Sequence, residues 1–359
     1  MNALKLIKFE CRAHMKNLTF LILLALLAVF GLTQLREVFH MPVKDESDIQ
    51  ILNQCGERDY LFVPNTDAVL RENSAHFLEK NISNGVIPQD KASLFVPVLD
   101  MLRDEQNTYD DVIRFFQKDE YLLSWLMSSK AQFGERLGSV EEVNNNLQDN
   151  LGKNGYSPVL FSQYVTYMQI MVAFLIFPIF VFLLLRDYKH SMYELIYAQP
   201  LSSSRYLLSR FWGAIVPLSF FLYLFGLFLN IISYWRFIIA GFSVGYTPFI
   251  TYFVVYLLPT IFFFSSLLTI LMLLMKRVVA VFPLYAIYIL LNATPAVFNI
   301  DSNFIRMLNP VIRLDREPLG TMIVLINRIF YVVLGIFFLI ASCHIYEKMR
   351  QNFRKVISI

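Results

Sequence analysis

Six apolar runs, each long enough to cross a lipid bilayer as a helix, set the limits on what this chain can fold into. A hydrocarbon core about 30 Å thick takes about 20 helical residues. The runs cover residues 18–35, 159–185, 211–235, 248–275, 278–300 and 319–345. In lipid each backbone N–H and C=O must find its partner inside the protein, so such runs are read as helices. The first run exceeds a signal-peptide core, and Thr33-Gln34-Leu35-Arg36 is no cleavage site, so it is read as an uncleaved span. At 56% hydrophobic and 16% charged, the 359 residues are too apolar for an ordinary soluble domain.

Basic residues orient the spans. Lys5, Lys8, Arg12 and Lys16 precede the first; Arg186, Lys189, Arg205 and Arg210 lie between the second and third. Lys276-Arg277 separate the fourth and fifth, and Lys348, Arg350, Arg354 and Lys355 follow the sixth. With six spans these segments, 1–17, 186–210, 276–277 and 346–359, share one face and hold 14 of 31 basic residues. Both termini are therefore expected in the cytosol of a bacterial plasma membrane. Residues 36–158, 236–247 and 301–318 fall outside. The fold class expected is an all-α polytopic membrane protein with a mainly helical extracellular domain.

Residues 36–160 hold 21 Asp/Glu against 12 Lys/Arg, a charge of −9. Thr66 is placed to cap a helix running through Asn81, and Pro88 to open another. Thr108 with Asp110-Asp111 starts a run through Ile113, Phe116, Leu123, Leu126 and Met127. Residues 144–155 read as a linker. The acidic face is either a solvated surface or a place to capture cationic ligands. No metal-protease, hydrolase-elbow or calcium-loop pattern occurs, and Cys11, Cys55 and Cys343 make no disulfide framework. No dense basic block points to nucleic acid.

The spans contain almost no ionisable groups, whereas ion-coupled pumps need them at depth. Gly152-Lys153 precedes Asn154, with Leu147 where a phosphate loop needs its first Gly. If ATP is used, another subunit binds it, and this chain needs no cofactor of its own. Ser162, Thr166 and Gln169 fall on one helical stripe, suited to a substrate path, a helix interface or the membrane surface. Asn292 opens an apolar, proline-containing loop to Gly320, read as a re-entrant or interface-lying helical pair. Arg328 is the one cation within a span. With 329–345 following, it is expected at the outer interface, its guanidinium reaching toward water.

Two cytosolic segments call for partners. Residues 1–17 form an amphipathic helix whose basic stripe suits an anionic leaflet; Glu10 lies off that stripe, toward His14 or a partner. Residues 186–210 read as two short helices joined at Gln199-Pro200-Leu201-Ser202. Met192, Leu195, Ile196 and Ala198 give this tether an apolar face.

This order of segments resembles the permease subunit of an ABC transporter of the ABC-2 type. Leu6-Ile7-Lys8-Phe9-Glu10-Cys11-Arg12 is similar to that family's elbow helix. Tyr193-Glu194-Leu195-Ile196-Tyr197-Ala198-Gln199-Pro200-Leu201-Ser202, with Arg205-Tyr206 and Arg210, resembles its coupling run, although Ser191-Met192-Tyr193 precede Glu194 where the family often has Gly-Thr. The resemblance spans 1–35 and 159–359. It implies a dimer of permeases, identical or related, driven by a separate ATP-binding subunit that holds ATP and Mg. It also implies docking of that subunit through Glu10, Arg12, Met192, Glu194, Leu195, Ile196, Pro200 and Arg205. A translocation path or dimer interface then falls to Ser162, Thr166, Gln169, Asn292 and Arg328. The competing class is a membrane sensor whose acidic outer domain binds a ligand without transport.

Overall fold

The computed structural model describes residues 3–55, 60–188, 201–275, 277–293, 308–314 and 321–357. Of the expected docking residues, Met192, Glu194, Leu195, Ile196 and Pro200 lie outside the described residues. In chain order the helices are α1 (Ala3–Met15), α2 (Leu18–Gln34), α3 (Glu46–Cys55), α4 (Asp67–Ser83), α5 (Gln89–Ala92) and α6 (Val96–Arg103). They continue as α7 (Tyr109–Phe115), α8 (Glu120–Phe133), α9 (Val140–Asn154), α10 (Tyr156–Tyr188) and α11 (Ser203–Ile239). The last are α12 (Ile250–Met275), α13 (Val278–Ala293) and α14 (Thr321–Ile357). Strands β1 (Phe62–Pro64) and β2 (Glu135–Leu137) form one antiparallel ribbon. The chain divides into two compact units, Met1–Phe39 with Asn154–Ile359, and His40–Lys153.

Among its described residues the first unit is built of helices, with no strand. Helices α10, α11, α12 and α14 are each long and apolar enough to cross a membrane, whereas α2 and α13, at 17 and 16 residues, are shorter. Asn17 ends α1 and starts α2. Its N–H bonds the carbonyl of His14, and its side-chain oxygen takes the N–H of Thr19 at 2.9 Å. A residue in extended conformation that caps the next helix forces a turn, and α1 meets α2 at 70°.

Helix α14 buries one stripe, Val324, Arg328, Tyr331, Leu339, Ser342, Tyr346 and Arg350. Its opposite face exposes Met322, Leu325, Ile326, Ile329, Phe330, Val333, Phe337 and Ile340. That apolar face runs ~27 Å at 1.5 Å per residue, about the hydrocarbon thickness. Exposed apolar rows recur on α2, with Ile22, Leu26 and Val29, and on α11, with Phe220, Leu224 and Phe228. Such a surface is stable where lipid replaces water.

Three boundaries differ from the sequence reading. Helix α10 runs on through Tyr188, and Ser203–Arg210 is the first part of α11 rather than a separate short helix, while the first of the two expected short helices lies outside the described residues. Helix α14 continues to Ile357, and its end packs into the unit through Tyr346 and Arg350 rather than forming a free tail. Between 309 and 314 the backbone is irregular, and most of the expected helical pair, at 294–307 and 315–320, lies outside the described residues.

In the second unit α4, α6, α7 and α8 close over a core of Leu78, Phe95, Val98, Tyr109 and Leu126. The expected Thr108 cap forms a reciprocal box with Asp111. The expected long run is broken, however, because Asp119 caps a new helix by accepting from the N–H groups of Tyr121 and Leu122. Helix α4 starts after Thr66 without a bond from its side chain; Asp67 instead accepts from Tyr109 N–H and Arg71 Nε, each at 2.8 Å. The expected linker is helix α9. Val143, Leu147 and Leu151 bury one face of it, and Asn144 clips the backbone of Val43 with bonds of 2.8 and 3.1 Å. An asparagine-rich run scores poorly as helix alone, but burial overrides propensity.

Residues 40–153 expressed alone should give a helical, cooperatively melting unit, and L126A should lower its stability by about 3 kcal/mol. Glu142 accepts from Arg136 at 2.7 and 3.1 Å and from Ser139 N–H, which holds its carboxyl down at about 2. A depressed carboxyl stabilises the fold above its ordinary value near 4.5, and that contribution is lost as pH falls through about 2. Thermal melts from pH 6 to 2 should therefore show E142Q converging on the parent at the acid end. A constant gap between the two would contradict this assignment.

Candidate functional site

Polar side chains inside an apolar helical unit are expensive unless they answer one another. They gather here at two places near opposite ends of α14. The first surrounds the irregular segment 308–314. Gln169 of α10 is fully buried and uses its whole amide. Its nitrogen donates to the carbonyls of Val165 at 3.2 Å and Ile312 at 2.9 Å. Its oxygen accepts from Ile312 N–H at 3.2 Å and from Thr260 Oγ1 of α12 at 3.1 Å. One turn away, Thr166 Oγ1 accepts from Leu314 N–H at 3.1 Å.

Arg328 of α14 closes the ring. Its Nη1 donates to Thr260 Oγ1 at 3.0 Å and to the carbonyl of Pro310 at 3.1 Å. Beside it runs a chain of asparagines. Asn327 Nδ2 donates to the carbonyl of Asn309 at 3.0 Å, and Asn309 Nδ2 to the carbonyl of Asn292 at 2.6 Å. Tyr331 Oη also reaches the carbonyl of Leu308. Thus Thr166, Gln169, Asn292 and Arg328, far apart in sequence, converge on one segment. Ser162 lies on α10, with its side chain outside the described residues. The expectation for Arg328 is corrected: it is 4% exposed and points into this cluster, not toward water. It could turn inward because Thr260 and Pro310 supply acceptors there.

The second cluster joins α1 to α11. Glu10 is 7% exposed and sits 3.7 Å from Arg210, itself 3% exposed. Arg210 Nη2 donates to the carbonyl of Leu183 on α10 at 2.8 Å, and its guanidinium lies 5.3 Å over the Tyr206 ring. Tyr206 stacks on Tyr346 of α14, and Arg350 donates to the carbonyl of Leu201 and to Ser203 Oγ. The helices meet at Gly213, where a Cβ would lie 2.4 Å from Glu10 Cβ. Only a glycine allows so close an approach. Glu10 is therefore an internal ion-pair partner. Its burial follows from the i, i+4 stripe Leu6–Glu10 facing α11. Arg12 and Arg205 are exposed.

Sequence reasoning passed over Thr260, Asn309, Asn327 and Gly213, and it read Arg210 and Arg350 only as basic flanks of spans and part of a coupling run. Thr260 and Asn327 carried a signal, being polar groups within apolar runs. Gly213 carried none without its neighbour. Among the described residues no group of His, Cys, Asp and Glu is placed to hold a metal. No family model, curated protein or solved structure matches this chain.

Two outcomes follow. Q169L leaves both polar groups of Ile312 unanswered at about 1–3 kcal/mol each, so its amide should exchange hydrogen at least about tenfold faster. Hydrogen-exchange mass spectrometry reads this, and unchanged exchange would count against the clamp. E10A leaves Arg210 buried without its carboxylate, which should cost about 3 kcal/mol. The folded fraction surviving heat in detergent should fall; no change would place Glu10 outside the fold's supports.

Proposed function

We propose that this chain is the membrane-spanning permease subunit of an ATP-driven transporter of the ABC-2 type. In this reading it exports an amphipathic cargo such as a peptide, antibiotic or lipid. The observation that carries the reading is the junction of α1 with α11. An amphipathic helix, bent 70° from the next, is bound by a buried ion pair to the helix that emerges from residues 189–200. A lever needs such a joint. Without it a push on the segment before α11 would bend that segment rather than move the bundle.

The reading takes α2 and α13 as two further spans, giving six. It places α1, the start of α11 and the end of α14 in the cytosol, and residues 40–153 outside. A second permease completes the path, lipid surrounds the exposed apolar faces, and the ATP-binding subunit supplies ATP and Mg. Arg12 and Arg205 are exposed on the cytosolic face in this arrangement and are suited to an acidic rim on that subunit. Arg350 ties the chain just before α11 to α14. Movement there passes along α14 to Arg328, ~33 Å away.

The test is co-purification. Tagged chain drawn from its native membrane should bring down an ABC-type ATP-binding subunit, identified by mass spectrometry. Its recovery should fall at least about tenfold in E194A/L195A and in R12E/R205E, with the permease still folded. Absence of any ATP-binding subunit would sink the reading.

A further inference from the structure

The side chain of Arg328 is used on one end only. Nη1 is pinned by Thr260 and by the carbonyl of Pro310. Nε and Nη2 are buried and have no hydrogen-bond partner. These two N–H groups point the same way and form the edge with which a guanidinium grips a carboxylate or phosphate through two parallel bonds. Among the described residues, the neighbours that act on this cation are the phenols Tyr256 and Tyr331, not a carboxylate.

Depth sharpens the point. Arg328 lies six residues, ~9 Å, beyond Met322 along a helix whose outward face stays apolar through Ile340. A guanidinium buried there with no counter-ion among the described residues costs several kcal/mol. A protein keeps such a group where an anion arrives to meet it. Nη1 fixes the orientation of the fork in advance, so little freedom is lost on binding.

We propose that Arg328 is an oxyanion-binding residue at membrane depth, held in place by Thr260 and the Pro310 carbonyl and offering its Nε/Nη2 edge to the phosphate headgroup of an amphiphile. Gln169 supports the frame by fixing Thr260 and Ile312 and does not touch the ligand. The edge is closed in this conformation, so entry requires movement of 308–314 or of α14. The site stands apart from the transport reading, since binding needs neither ATP nor a partner subunit.

The experiment uses the full chain purified in detergent with no partner, and tritiated dioleoyl phosphatidic acid as probe. Saturable binding is expected, with diolein, which lacks the phosphate, failing to compete. R328Q should weaken binding at least about tenfold. R328K keeps the charge but lacks the fork and should still lose about fivefold; it decides the matter if R328Q does not fold. Displacement by inorganic phosphate would identify a free oxyanion as ligand, and resistance to it a lipid headgroup; either supports the site. Wild-type affinity in R328Q or R328K, or no saturable binding by the parent chain, would overturn it.

Discussion

Two hydrogen bonds between the Gln169 amide and the backbone of Ile312 hold the rest of this end of the helical unit in place. A helix satisfies its own backbone, and an irregular segment does not. Where lipid rather than water surrounds the protein, that segment survives only if side chains answer its N–H and C=O groups. Gln169, Thr166, Asn309 and Arg328 do so for residues 308–314. Remove the first and the others lose their target, because Thr260 is positioned by the same amide. The cluster thus works as one unit, as buried polar networks generally do.

Helix α14 connects this cluster to the other. It carries an arginine near each end of its buried stripe, and each donates to backbone outside a helix: Arg328 to Pro310 and Arg350 to Leu201. Between them the stripe is apolar or small, and the packing against α12 is continuous. A rod clasped at both ends by irregular segments transmits displacement better than side chains sliding past one another. At the second clasp, the ion pair of Glu10 with Arg210 brings α1 into the same body. This arrangement supports the proposed permease role.

Much of the helical unit was legible because its signals are long and local. Apolar runs marked α10, α11, α12 and α14, and the stripe Thr166–Gln169 and Arg328 stood out as polar groups in apolar company. What they were for was not legible. Arg328 was expected to reach water because the apolar run 329–345 that follows it is nearly long enough to span alone, whereas its acceptors come from Thr260 and Pro310, 68 and 18 residues away. Glu10 was read toward His14 or a partner protein because Arg210, its neighbour in the fold, is 200 residues distant. In the second unit the Thr108 cap was readable from adjacent residues. Helix α9 was not, since its asparagines answer distant backbone, Asn144 that of Val43 and Asn146 that of Tyr60.

The central physical claim is that the outer face of α14 looks into lipid while Arg328 is sealed behind it. A nitroxide at Ile329, in a cysteine-free background reconstituted into liposomes, tests this by power-saturation spectroscopy. High accessibility to oxygen and low accessibility to a polar nickel chelate is the expected result. Ready access of the nickel chelate to position 329 would put that face in water and contradict the membrane placement of the cluster.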